Sequence, residues 1–157
     1  MGYIDKNLMT GEEVVYRASL HWAIYIPAAF WLLLGLLVVA ISVKLDQPYA
    51  MVFAIILLLF AVFALIRAVI ADLTSEFAVT NRRIIFKQGL IARNTVELML
   101  TKCEGVSLDQ GILGRILGYG TLITTTGGVT NRFGKIKDPI TFRNHINVQV
   151  DVAQRAK

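Results

Sequence analysis

Two long apolar stretches without a charged residue follow one another near the start of this 157-residue chain. Residues 22–43 make up the first, 22 positions long, and residues 49–66 the second, 18 positions long. As α-helices they would be roughly 33 and 27 Å long, against about 30 Å for the hydrocarbon core of a bilayer. Only residues 44–48 connect them. The pattern therefore predicts a transmembrane helical hairpin, with Arg67 ending its second helix.

The alternative is a pair of core helices in a soluble protein. The other 112 residues would then have to wrap two helices that are apolar all round, and also cover a core of their own. A composition that is 55% hydrophobic favours the membrane class instead. The lone cysteine, Cys103, excludes an internal disulfide.

Basic residues predict the orientation of the hairpin, because they accumulate on the cytoplasmic side of a membrane. The connecting loop contains only Lys44, whereas basic residues lie on the terminal side of both spans: Lys6, Arg17, Arg67, Arg82 and Arg83. We therefore expect a multi-pass protein of the cytoplasmic (inner) membrane with both termini in the cytoplasm.

The cytoplasmic part is basic. Residues 67–157 carry 13 basic and 7 acidic side chains, a net charge of +6. Ordinary positive-inside bias explains such an excess without any ligand, whereas attraction to anionic lipid would give it a function. On the second hypothesis the candidate lipid contacts are Arg82, Arg83, Lys87 and Arg93.

Short strands dominate the region from residue 72 to residue 150. Alternating polar and apolar residues predict strands at 75–80, 84–88, 94–100, 105–110, 120–126 and 130–136. Thr80-Asn81-Arg82-Arg83 predicts a turn in which Asn81 adopts the left-handed backbone. Gly127-Gly128 predicts a hairpin. Six strands with short connections indicate an antiparallel meander.

Both ends of this domain are ambiguous in the sequence. Residues 139–153 carry the apolar stripe of a helix, whereas residues 146–152 alternate as in a strand, and Asp138-Pro139 favours the helix as a cap residue followed by proline at the first helical position. Within residues 1–21, the N-terminal segment, residues 12–20 fit either a further strand of the sheet or an interfacial amphipathic helix. In the strand case the hairpin would be inserted within the domain.

Residues 112–119 form an apolar segment that contains Gly114 and Gly118 and follows Gly111. Its four large aliphatic residues would cluster on one face of a short helical turn. Three roles remain open for this face: it caps the open end of the sheet, it dips into the bilayer, or it contacts a second subunit of a homo-oligomer. In the third case the interface candidates are Ile112, Leu113, Ile116 and Leu117.

The sequence does not match the motifs for catalysis or metal binding that we considered. The region from Gly128 to Lys135 has the wrong spacing for a phosphate-binding loop. His21 and His145 have no partners in a catalytic pattern, and no His/Cys cluster has metal-ligand spacing. Basic residues are not interleaved with aromatic ones as in nucleic-acid binding. We therefore expect no enzyme, no catalytic residue, no cofactor or metal, and no nucleic-acid partner.

Three runs resemble bacterial membrane proteins that carry a bacterial pleckstrin-homology domain. They are Gly-Glu-Glu-Val at 11–14, Phe-Ala-Val-Thr-Asn-Arg-Arg-Ile-Ile at 77–85, and Ile-Leu-Gly-Arg-Ile-Leu-Gly-Tyr-Gly-Thr-Leu at 112–122. The resemblance covers about residues 10–147. It implies a bent antiparallel sheet closed by a C-terminal helix, held at the membrane by the hairpin. The expected function is a non-enzymatic binding, scaffolding or assembly module whose partner is lipid or an unidentified protein. A sensor of anionic lipid headgroups is the alternative.

Overall fold

The computed structural model describes residues 3–89 and 94–155. The chain divides into two compact units. One is the helical hairpin, Trp22–Leu73, and the other is a mainly-β domain formed by the residues on either side of it.

The hairpin unit begins with a 3-10 turn at Trp22–Tyr25, followed by α2 at Ile26–Leu45 and α3 at Pro48–Thr74. The prediction that Arg67 ends the second helix is wrong, because α3 continues to Thr74. Arginine is a good helix former, so a charge ends the apolar run without ending the hydrogen-bonded helix. Asp72, near the end of α3, accepts a hydrogen bond of 3.0 Å from the hydroxyl of Tyr25.

Small residues let the two helices of this unit pack closely. Gly35 is buried in α2, and a β-carbon there would lie only 2.8 Å from Cδ2 of Leu58 in α3. Alanines at a spacing of seven residues, Ala54, Ala61 and Ala68, are buried in α3. Close approach through glycine and alanine is typical of helices that associate in lipid. Most of the larger aliphatic residues of both helices are at least partly exposed, whereas Leu57 is buried.

In the part of the domain that the structure describes, seven antiparallel strands form two sheets. The first sheet has the order β1-β2-β3-β4, with bounds Val14–Ala18, Glu76–Thr80, Arg83–Gln88 and Asn94–Met99. The second has the order β5-β6-β7, with bounds Gly105–Asp109, Tyr119–Thr126 and Val129–Lys137. The predicted meander is thus divided into two sheets, with a 3-10 turn at Leu100–Lys102 between β4 and β5.

Strand β1 precedes the hairpin in sequence, and β2 follows it. The two pair directly, with Ala18 opposite Phe77 and Arg17 opposite Ala78. The strand alternative for the N-terminal segment is therefore the observed one, and the hairpin is inserted between two neighbouring strands. A short helix, α1 at Tyr3–Lys6, precedes β1.

The core of the domain lies between the sheets and the last helix, α5 at Pro139–Arg155. Phe86 and Phe133, one from each sheet, stack with ring centroids 3.5 Å apart. Phe142 and Ile146, one turn apart on α5, are fully buried against this core. The choice of a C-terminal helix with Pro139 at its first position is confirmed, as is the predicted fold class: two apolar helices and a bent antiparallel sheet structure with a closing helix.

Candidate functional site

The most extensive polar cluster of the domain surrounds Arg83, at the start of β3. Its guanidinium donates to both carboxylate oxygens of Glu12, at 2.9 and 2.8 Å. It also donates to Glu97 at 2.5 Å and to the backbone carbonyl of Asn7 at 2.8 Å. The Glu12 side chain has no solvent exposure, and that of Arg83 is 9% exposed. This bidentate geometry is the strong form of an ion pair, and it joins the N-terminal segment to the sheet.

The turn between β2 and β3 is built by side chains rather than by unusual backbone angles. The hydroxyl of Thr80 accepts hydrogen bonds from the N–H groups of Arg82 and Arg83 and lies 2.8 Å from Glu12. The turn was predicted correctly, but the role given to Asn81 is wrong, because its φ is not positive. Its amide instead accepts from the N–H of Glu13 and donates to a backbone carbonyl, that of Gly11.

Two of the three family-like runs therefore contact each other across about 70 residues of sequence. Gly11-Glu12-Glu13 and Thr80-Asn81-Arg82-Arg83 form one hydrogen-bonded unit, which the hairpin interrupts in the chain. Nothing in either run taken alone indicates the other as its partner. The opposite charges of Glu12 and Arg83 were a sign of this contact in the sequence.

Lys87, on the same strand as Arg83, also forms an ion pair. Its amino group lies 3.1 Å from the carboxylate of Glu76, directly across the strand pair, and 5.0 Å from the ring centroid of Tyr3. The same carboxylate accepts the N–H groups of Tyr3 and Ile4 at the start of α1. Glu76 and Lys87 thus hold the N-terminal helix against the domain.

The four candidate lipid contacts are therefore not equivalent. Arg83 and Lys87 are paired with carboxylates, and Arg93 lies outside the described residues. Arg82 is exposed at the turn, and its guanidinium has no ion pair among the residues that the structure describes. A site that needs several cations is thus supported by only one of the three described candidates.

The apolar segment forms a short helix, α4 at Ile112–Leu117. A helix that capped the sheet would bury its aliphatic side chains, and α4 shows the reverse arrangement. Gly114 is buried, whereas Ile112, Leu113 and Ile116 are 83%, 67% and 75% exposed. The capping interpretation is therefore wrong for these three residues, and Leu117 is half-buried. The inward position requires glycine, because a β-carbon there would lie 2.6 Å from the carbonyl oxygen of Tyr119.

A family model described as the bacterial PH domain matches residues 23–150, most of the chain. This protein belongs to the bacterial PH domain family. No curated protein and no solved structure matches the chain. The family match agrees with the resemblance found in the sequence, and it includes the hairpin helices as well as β2 to α5.

In this bacterial PH domain a cleft of about 510 Å³ opens beside Cys103. Lys102 and Glu104 contribute opposite charges to its lining, together with Thr126 and Gln154. Glu104 accepts the N–H of Gly127 at 3.2 Å, in the turn between β6 and β7. The cleft is therefore mixed in charge rather than basic, and it does not have the concave cationic shape that would favour an anionic headgroup.

The buried thiol of Cys103 provides a probe of folding for the PH domain alone. The residue is 5% exposed, and burial raises the pKa of the thiol, so the reactive thiolate is scarce while the domain is folded. Because the chain has a single cysteine, its rate of labelling in urea reports opening of the domain without interference from the hairpin. Dithiodipyridine is a suitable reagent because it reacts with thiols in acid as well as at neutral pH.

We expect acid to destabilise the PH domain through Glu12. Burial on its own would raise the pKa of this carboxyl, but hydrogen bonds from Arg83, from the Met9 N–H and from Thr80 outweigh it, so the pKa lies below its ordinary value of 4.5. The unfolded chain then binds more protons than the folded one. Stability contributed by Glu12 is present above about pH 4.5 and is lost as the pH falls through the lower, folded-state pKa.

The measurement is the urea midpoint for Cys103 labelling as a function of pH. Glu12→Gln should be less stable at neutral pH and should lose less stability in acid than the unmodified chain. Glu13→Gln, at the exposed neighbouring position, is the matched control and should keep the original acid dependence. An unchanged acid dependence in Glu12→Gln would contradict the assignment. Glu76, whose pKa is also lowered after burial is outweighed by the Tyr3, Ile4 and Lys87 contacts, accounts for part of the remaining dependence.

Proposed function

We propose that this protein is an integral membrane protein whose helical hairpin holds the PH domain against the inner face of the cytoplasmic membrane. The observation that carries the proposal is the exposure of the hairpin's apolar surface. Residues 22–45 and 48–74 form helical segments with mean hydropathies of 2.5 and 3.0 in their most apolar windows, and only 17% of each window is buried. Core helices of a soluble protein would be mostly buried, whereas a bilayer covers such a surface with acyl chains.

The orientation follows from charge. The end of α2 and the connection to α3 contain Lys44 and Asp46, whereas residues 67–157 carry a net charge of +6. An anionic inner leaflet attracts such a domain, and positive residues are retained on the cytoplasmic side. We therefore place the PH domain and both termini in the cytoplasm.

In the proposed role the PH domain acts as a non-enzymatic binding or assembly module. Its most distinctive surface is the exposed aliphatic face of α4, whereas two of its candidate lipid-binding cations are paired with carboxylates. This contrast favours interaction through an apolar surface over recognition of a headgroup by a cationic pocket. The proposal needs no cofactor and no catalytic residue.

Cysteine accessibility tests the anchoring and the orientation together. On a Cys103→Ala background, Gln47→Cys and Lys157→Cys are treated in intact cells with a membrane-impermeant maleimide. We expect labelling at residue 47 only, because it lies in the connection on the outer side. Permeabilised cells are the control, in which both positions should react. Labelling at residue 157 alone would reverse the orientation, and recovery of the protein in the soluble fraction would contradict the anchoring.

A further inference from the structure

Helix α4 of the PH domain is amphipathic, but it exposes its aliphatic face, whereas a core helix buries that face. It buries a glycine and exposes three large aliphatic residues, Ile112, Leu113 and Ile116. A soluble domain rarely presents a group of such residues to water without a partner. The arrangement therefore calls for a specific occupant of this face.

The exposed face is displayed by a defined structure rather than by an irregular loop. The side-chain amide of Gln110 donates to the carbonyls of Gly114 and Tyr119, both at 3.0 Å. Gly118 ends the helix in the left-handed conformation, with φ of 78°, and its N–H returns to the carbonyl of Gly114. These contacts hold the glycine face against Tyr119, and the aliphatic residues remain on the opposite side.

Helix α4 lies at the end of the domain from which the chain continues into the hairpin. Tyr119, two residues after α4, contacts the ring of His21 with centroids 5.4 Å apart. His21 is the last residue of the domain before the hairpin unit, and its N–H donates to the carbonyl of Lys135 at 2.8 Å. The next α-carbon, that of Trp22, is about 3.8 Å further along the chain. The point at which the chain leaves the domain for the hairpin is therefore close to α4.

Charges around this end of the domain suit an anionic surface. Arg115 on α4 is exposed, and Lys137, exposed on β7, pairs directly with Tyr119. Lys135 is half-buried beside His21. The acidic residues of the same end are Asp109, at the end of β5, and Asp138, before α5. Three of these residues are cations and two are carboxylates; Arg17, which lines a cleft with Lys137 and Asp138, is paired with Asp5.

We propose that α4 is an interfacial anchor whose Ile112, Leu113 and Ile116 side chains insert into the boundary between headgroups and acyl chains. The inference rests on the proposed function, because the hairpin must place the domain at a membrane. A short helix with an aliphatic face and neighbouring basic residues fits this boundary, where side chains enter by about 5–10 Å. A second copy of the chain is the weaker occupant, since three aliphatic side chains offer only a few hundred Å², against about 800 Å² per partner in a standard interface. The anchor would fix the orientation of the PH domain on the bilayer.

Depth-dependent fluorescence quenching tests the anchor in the full chain. On a Cys103→Ala background, bimane is attached to Ile116→Cys, and the protein is reconstituted in vesicles of phosphatidylethanolamine and phosphatidylglycerol. One set of vesicles carries bromine on the acyl chains near the headgroups. We expect these bromines to quench about half or more of the emission, since an inserted side chain lies at their depth. Ile116 is 75% exposed, so its replacement should leave the fold intact.

Val129→Cys is the matched control. Val129 is also an exposed aliphatic residue, at 62%, but it pairs with Thr126 at the far end of β6 from Tyr119. That strand has eight residues, so the two ends are about 23 Å apart. Bimane at residue 129 should be unaffected by the brominated lipid. Equal quenching at residues 116 and 129 would contradict a local anchor at α4.

A third label separates this inference from the proposed function. Leu36→Cys places bimane in the middle of α2, where bromines near the ends of the acyl chains, in a second set of vesicles, should quench it if the hairpin is in the bilayer. Absence of quenching at residue 36 would overturn the anchoring itself. Quenching at residue 36 with a water-like emission at residue 116 would overturn the inference alone. A blue-shifted emission at residue 116 that bromine does not quench would assign the face to a protein partner, such as a second copy, and would also overturn it.

Discussion

Replacing Arg83 with methionine is expected to lower the free energy of unfolding of the PH domain by about 3–5 kcal/mol. The reason is the carboxylate left behind. Glu12 has no exposed side-chain surface and receives two hydrogen bonds from Arg83. Without the guanidinium, it would remain buried with only the Met9 N–H and the Thr80 hydroxyl as partners. An uncompensated buried charge is far more costly than a lost surface ion pair.

The control is the same substitution at the adjacent position. Arg82→Met changes an exposed arginine that has no ion pair among the described residues, and it should alter stability by less than about 0.5 kcal/mol. Urea-dependent labelling of Cys103 measures both variants in the full chain. The double variant Glu12→Met/Arg83→Met should recover much of the loss, because replacing both ions with apolar groups removes the unpaired charge. Equal stability of Arg82→Met and Arg83→Met would show that the buried pair is not needed for folding.

Gly114→Ala is expected to lower the stability of the PH domain by about 1–3 kcal/mol, the usual cost of forcing extra volume into a packed position. The added β-carbon would lie 2.6 Å from the carbonyl oxygen of Tyr119, which is backbone and belongs to the start of β6. Either α4 or the strand must move. Movement of α4 would also disturb the Gln110 hydrogen bonds that hold it.

Gly111→Ala is the matched control within the same segment. Its φ is −67°, which any residue adopts, and a β-carbon there would meet nothing within 4 Å. This substitution should be neutral or should stabilise by about 0.4–1 kcal/mol through a less flexible unfolded chain. The comparison uses the Cys103 labelling assay. If both alanine variants had the same stability, the close contact between Gly114 and Tyr119 would not exist in solution.

Helices and strands were predictable from the sequence because the spacing of apolar residues along the chain follows the backbone geometry of each element. Alternation between Ser75 and Gln88 indicated two strands and a turn, and Pro139 with its helical stripe indicated the C-terminal helix. The apolar stretches indicated two helices of membrane-spanning length. The bounds were less predictable, as the continuation of α3 through Arg67 shows, because a charged residue interrupts hydropathy but not helical hydrogen bonding.

The candidate sites were less predictable because their side chains find partners far away in sequence. Arg83 and Lys87 are basic residues on one strand, and nothing local shows that Glu12 and Glu76 neutralise them. Which face of α4 is buried could likewise not be predicted, because its pattern of aliphatic residues and glycines fits a buried aliphatic face as well as a buried glycine face. The close carbonyl of Tyr119 decided in favour of the glycine.

The sequence alone thus determined the class of the protein: local periodicity and length predicted an apolar helical hairpin, an antiparallel meander and a C-terminal helix, and the family resemblance implied that the sheet is bent. Only the tertiary structure decided which charges are paired and which surfaces stay exposed. It showed that β1 and β2 pair although the hairpin separates them in sequence, that Glu12 pairs with the guanidinium of Arg83, and that α4 exposes three of its aliphatic residues. These outcomes depend on contacts between residues far apart in the sequence, such as Glu12 and Arg83, which are 71 positions apart, and local patterns do not specify such contacts.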